Sequence, residues 1–126
     1  MHSRTATVRR LPLFAVLALA LTVGGASAQD AEKATPNVVK LRFENERVRI
    51  LEATSQPGDK EQMHSHPQNV VVVLNGGKLR ITTGDGKTSD VELKTGETLW
   101  REPLTHKAEN IGATPFHAII VELKKP

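Results

Sequence analysis

His64 and His66 flank the single residue Ser65, and His106 lies forty positions beyond His66. Imidazole nitrogen is the commonest protein donor to transition metals. In an extended chain side chains alternate faces, so His64 and His66 point the same way and can aim two nitrogens at one ion. Pro67 restrains His66 to extended backbone angles and favours that alternation. A His-x-His pair alone fits two exposed loop histidines equally well, so its surroundings decide. Pro57-Gly58 turns the chain before the pair, and Asn75-Gly76-Gly77 turns it after the apolar run Val70 to Leu74. His117 sits in a further apolar run on the face of Ile119 and Val121, which reads as a packed core or pocket-wall histidine. The chain has no cysteine, so disulfides, thiolate nucleophiles and thiolate ligands are excluded, and any metal rests on nitrogen and oxygen.

The segments that must position these histidines read as short strands. Nothing resembles a long amphipathic helix, whereas runs rich in Val, Ile, Leu and Thr recur between turn signals. The expected strands are Val38 to Phe43, Val48 to Thr54, Asn69 to Leu74, Leu79 to Thr83, Val91 to Leu93, Glu97 to Arg101 and Pro115 to Leu123. Gly84-Asp85-Gly86 and Lys94-Thr95-Gly96 add turn chemistry, so the pattern reads as one hairpin after another. Val70 to Leu74 and Phe116 to Val121 are apolar on both faces, as in strands covered on two sides. The fold class is therefore all-β: a jelly-roll barrel is the first choice and an immunoglobulin-like sandwich the second. An exposed edge strand as apolar as Val38 to Phe43 invites pairing, so a homodimer that covers it is expected.

The start of the chain has another purpose. Arg4, Arg9 and Arg10 precede the 13-residue apolar run Leu11 to Val23, and Ala26-Ser27-Ala28 supplies small residues for a signal peptidase. The run contains Pro12 and falls short of the roughly 20 apolar residues a membrane span needs. Residues 1–28 are expected to be a signal peptide cut after Ala28, residues 29–37 a flexible leader and residues 38–126 the domain. The mature protein is then periplasmic or secreted, without stable membrane insertion. Cleavage removes three arginines and no acid, so 17 basic residues become 14 against 14 acidic ones. The formal charge of +3 belongs to the targeting segment and argues for neither nucleic acid nor an anionic membrane as partner.

Gly58, five residues, then His64, Ser65, His66 and Gly77 resemble the first motif of the cupin superfamily. Gly96 through His106, with Asn110 after three intervening residues, is similar to the second. The resemblance covers residues 58 to 110 and implies a cupin-type jelly roll, or double-stranded β-helix, with one metal ion inside the barrel on His64, His66 and His106. In that family a glutamate four or five positions after the second histidine completes the set; here those positions are Val70 and Val71. Gln68, Glu102 or Glu52 would have to reach the ion in its place. The Glu102-Pro103-Leu104 turn also departs from the family pattern.

Three neutral imidazoles leave coordination positions open, as a catalytic site requires. Imidazole suits iron, zinc and copper, whereas manganese favours oxygen donors. Two functions fit. One is a metal-dependent oxygenase of the iron type acting on a small carboxylic substrate, with Trp100 at the pocket mouth and Arg101 or Arg49 paired with the substrate carboxylate. The other is a non-catalytic module that holds a small molecule or a metal. The chain lacks a Gly-x-Ser-x-Gly elbow and a phosphate-cradling glycine loop, so serine-hydrolase and nucleotide-binding readings lack their required parts.

Overall fold

The structure, a computed structural model, describes residues 29–126; the signal-peptide reading of residues 1–28 lies outside the described residues. These form a helical turn, α1 (Ala31–Ala34), and nine strands: β1 (Val39–Glu44), β2 (Val48–Ser55), β3 (His64–His66), β4 (Asn69–Asn75), β5 (Gly77–Thr83), β6 (Thr88–Leu93), β7 (Thr98–Arg101), β8 (Leu104–Asn110) and β9 (Phe116–Leu123). No helix among the described residues is long and apolar enough to cross a membrane.

Two antiparallel sheets face each other, one of five strands in the order β1-β2-β9-β4-β7 and one of four in the order β3-β8-β5-β6. Together they make a jelly roll. Only β1–β2 and β5–β6 are neighbours in both sequence and space, so the expected run of hairpins is corrected. From β6 onward each connection crosses to the other sheet, which wraps the chain around a common interior. The crossing from β4 to β5 needs Gly76, because a Cβ there would lie 2.3 Å from the Leu93 carbonyl oxygen. Gly58 and Gly96 adopt positive φ, as their turn positions require.

The sheets meet over one apolar core that includes Val71, Val73, Leu79, Ile81, Phe116 and Ala118. Each of these side chains except Ala118 stabilises the fold by about 1.5–3 kcal/mol when fully buried, and the alanine methyl by about 0.8 kcal/mol. A second cluster holds Ala31, Val38, Val39, Leu51 and Ala53, and Ile120 packs against both.

Residues 29–37 depart from the expected flexible leader. α1 puts Ala31 at 0% exposure against Leu51 and Ala53, and Asp30 forms a parallel bridge with Ser65. The Ser65 N–H donates to the Gln29 carbonyl at 3.1 Å, so this strap pairs the free edge of β3. One alanine without neighbouring apolar periodicity gave no sign of that docking.

Two strands, β3 and β8, were not anticipated. β8 alternates well, but its buried positions include His106 and Asn110, so it lacks the apolar signature that marks a strand. The apolar outer faces expected to be covered are only partly so. Phe43, Ile50, Val121, Val70 and Trp100 are register neighbours across all five strands of the larger sheet. Phe43 is 51% exposed and Trp100 55%. β1 is an edge strand, as expected.

Candidate metal centre

β3 and β8 bring the three histidines together. His64 pairs with His106 in register, and the alternation predicted for His64 and His66 turns both rings into the barrel. All three are buried, and their nearest ring nitrogens lie within 4.8 Å of one another. The ring centroids stand 4.8 to 5.3 Å apart with steeply inclined planes, so the rings converge edge-on and do not stack.

Hydrogen bonds on the far side of two rings fix which nitrogens face inward. His64 Nδ1 lies 2.7 Å from the Gln62 carbonyl oxygen, which can only accept, so Nδ1 carries the proton and Nε2 the lone pair. His66 Nδ1 donates to Glu122 Oε1 at 2.6 Å, so in the neutral ring Nε2 is the acceptor. The two Nε2 atoms are 3.0 Å apart, so with both rings neutral, as metal binding requires, two lone pairs face each other with no hydrogen between them. A cation resolves that repulsion.

His106 strengthens the fit, since neither Nδ1 nor Nε2 has a hydrogen-bond partner although both atoms are buried. A buried imidazole with two idle nitrogens costs free energy unless something coordinates it. Burial is the main reason that the pKa of His64 falls to about 4 and that of His106 to about 3; the neighbouring imidazoles, and for His106 the Arg101 charge, lower them further. Both rings are therefore neutral near pH 7, as metal binding requires. The donor set fits a nitrogen-loving divalent transition metal.

Behind His66 stands a network that the sequence reading missed. Glu122, 1% exposed, also accepts from Arg49 Nη1 at 3.0 Å. Arg49 in turn is ion-paired with Glu32 of α1, Asp30 and Glu44. Burial works against the Arg49 charge, but Glu32, Glu122 and Asp30 outweigh it and raise its pKa. Such a carboxylate–histidine pair fixes the ring tautomer and makes the inward nitrogen more basic. Glu61 was missed as well: its Oε2 lies 3.8 Å from His64 Nε2, it accepts the Ala108 N–H, and burial pushes its pKa up to about 7.

Three residues expected near the ion lie elsewhere. Gln68, Trp100 and Glu102 bond to one another on the exposed exterior, Gln68 Nε2 to Glu102 Oε2 at 2.9 Å and Trp100 Nε1 to Glu102 Oε1 at 2.8 Å. Alternation along β7 sends Arg101 inward and so sends Trp100 outward. Glu52, the other acid considered, pairs with Arg42 and His117 on the outer face. His117 therefore belongs to neither core nor pocket wall. It shares a face with Ile119 and Val121 as expected, but Phe116, Ala118 and Ile120 are the residues directed inward. Arg49, saturated by acids, is not available to a substrate. Arg101 does line the interior cavity, with all three histidines and Asn69.

The cupin domain family matches residues 51–122, which span both histidine motifs and most of the barrel. A cupin domain from Bordetella pertussis Tohama I is 27% identical, with 80% of this chain and 100% of that one aligned at a TM-score of 0.64. A cupin family protein with a double-stranded β-helix fold from Methanocaldococcus jannaschii is 17% identical over 68% of this chain and 78% of its own, at a TM-score of 0.56. A conserved protein with a double-stranded β-helix domain from Klebsiella pneumoniae is 24% identical over 66% of this chain and 68% of its own, at 0.52. No curated protein matches the sequence. With the motif histidines gathered inside a jelly roll and the family's domain covering more than half of its length, the chain belongs to the cupin superfamily.

Proposed function

We propose that the protein holds one divalent transition metal on His64, His66 and His106 and uses it as an iron-type oxygenase on a small carboxylic substrate. The observation that carries the metal is the convergence of three buried imidazoles, two with their Nε2 atoms 3.0 Å apart and one with no hydrogen-bond partner at all. Bound there, iron would supply redox chemistry toward dioxygen at the coordination positions that three protein ligands leave open. The residues of the chain do the rest. Glu122 orients His66, Gln62 orients His64, the aliphatic barrel wall excludes water, and Glu61, whose pKa burial raises to about 7, can give or take a proton beside His64.

Support for export comes from the sequence of residues 1–28, and we propose a periplasmic or secreted location, tested by fractionation of cells that express the whole chain. Oxygen uptake by the iron-loaded protein with a series of short carboxylic acids tests the catalytic reading. Consumption that depends on both acid and His106 is expected. No uptake with any acid, in protein shown to contain iron, would leave the second reading: a non-catalytic cupin that binds a small molecule or metal. The absence of a family-type glutamate at Val70 and Val71 favours that alternative.

A further inference from the structure

One row of residues crosses the inner face of the five-stranded sheet, one residue per strand: Glu44, Arg49, Glu122, Asn69 and Arg101. Cross-strand neighbours in such a row sit close enough to pair. Charges alternate over the first three members, and Arg49 is neutralised on every side. The alternation then fails. The position that would hold a counter-ion for Arg101 holds Asn69, whose amide donates to the Pro67 carbonyl at 2.8 Å.

Arg101 is consequently left over. Its Nε is buried without a hydrogen-bond partner, and among the described residues no carboxylate forms an ion pair with it. Burial alone pushes its pKa down, with no acid near enough to restore it. A half-buried guanidinium with no carboxylate beside it and an idle, buried Nε is costly, and such violations of packing rules concentrate at functional sites. Its charge reaches His106 and lowers the pKa of that ring, so cation and candidate metal centre share one cavity.

That cavity sets the size and character of what could neutralise Arg101. Its volume is about 60 Å³, room for about four to six water-sized groups. Away from the histidines, Glu61, Asn69 and Arg101 the walls are aliphatic or aromatic, with Val71, Leu79, Ile81 and Phe116 among them. A tetrahedral dianion such as phosphate would leave oxygens facing apolar wall. A carboxylate presents only two, in the planar fork that a guanidinium matches.

We propose that Arg101 anchors an anion subsite inside the barrel, whose ligand is a carboxylate of about two to four carbons with its short apolar body against the barrel wall. This deepens the reading given above, because it assigns the residue that holds the carboxylate and bounds the size of the ligand in the same cavity, and it rests on that reading. The two are separable by experiment. Zinc-loaded and metal-free protein would each be titrated with acetate, propanoate, benzoate, inorganic phosphate and the neutral isostere propanamide, followed by calorimetry. Arg101→Gln and Arg101→Lys would be treated alike, with zinc content and thermal unfolding recorded for each.

Propanoate should bind the wild type, about 10- to 100-fold more weakly to Arg101→Gln, and with an intermediate constant to Arg101→Lys, which keeps the charge but loses the fork. Zinc content should be unchanged by either substitution. Equal propanoate binding in folded Arg101→Gln, or no carboxylate binding in wild type, overturns the subsite. Phosphate or propanamide binding as tightly as propanoate overturns the carboxylate assignment, and benzoate doing so overturns the size limit. Arg101-dependent propanoate binding in a protein that takes up no zinc upholds the subsite and overturns the metal reading.

Discussion

Glu122→Gln tests whether the network behind His66 shapes the site. The carboxylate has two oxygens and two partners, His66 Nδ1 at 2.6 Å and Arg49 Nη1 at 3.0 Å. Glutamine keeps the shape but only one oxygen, so its NH2 must face one of two donors. Facing Arg49, it leaves the guanidinium one acceptor short; facing His66, it forces the ring to flip or change tautomer. Either way one charge-assisted hydrogen bond is lost, worth roughly 1.5–3 kcal/mol. Arg49 retains Glu32, so the larger cost of an isolated buried cation is not added. For a domain of this size the metal-free protein should melt about 10 °C lower. Zinc affinity, measured by competition with a chromophoric chelator, should fall about 10- to 100-fold, as for other carboxylates that orient a ligand histidine. An affinity within twofold of wild type, in a variant with an unchanged circular dichroism spectrum, would refute the role given to Glu122.

Three other outcomes are expected. In the metal-free protein the depressed pKa values of His64, about 4, and His106, about 3, mean that the unfolded chain takes up protons first, so stability falls as pH drops below about 6.5. Glu61, raised to about 7, acts oppositely and contributes stability as pH falls toward 4.5. Denaturant titrations should therefore show a gradual loss with a slope of about one proton from pH 6 to 3.5 that levels off below, and Glu61→Gln should make the range from pH 6.5 to 4.5 about twice as steep; a flat profile from pH 7 to 3 would contradict this. Ala31→Asp puts a carboxylate where exposure is 0%, which should displace the strap from β3 and weaken zinc binding several-fold with the β-sheet spectrum retained; unchanged affinity would contradict that coupling. The apolar row Phe43, Ile50, Val121, Val70 and Trp100 should bury itself in a homodimer, visible by sedimentation at micromolar concentration and abolished by Val121→Lys; a monomeric wild type would contradict it.

What the sequence disclosed follows from local rules. Period-two alternation placed His64 and His66 on one face, and turn glycines divided the strands. The spacing of two motifs then joined His106 to the pair across forty residues. What stayed hidden needs knowledge of the partner strand. Alternation says that Trp100 and Arg101 point oppositely, but only pairing with Asn69 and Val70 of β4 tells which one faces inward. The same ambiguity sent His117 to the wrong side. Glu122 and Arg49 lie 73 positions apart and look like ordinary charges at strand ends until β2 and β9 are laid in register. β8 escaped because its inward positions include the polar His106 and Asn110 that serve the site and its turn.

The measurement that bears most directly on the account is the metal content of purified, untagged protein, wild type beside a His64→Ala, His106→Ala double variant, after exposure to Fe(II), Zn(II) and Cu(II). About one ion per chain is expected in the wild type and none in a double variant that still shows the β-sheet spectrum. Wild-type protein that retains no metal, or a double variant that retains as much as wild type, would contradict the three-histidine centre.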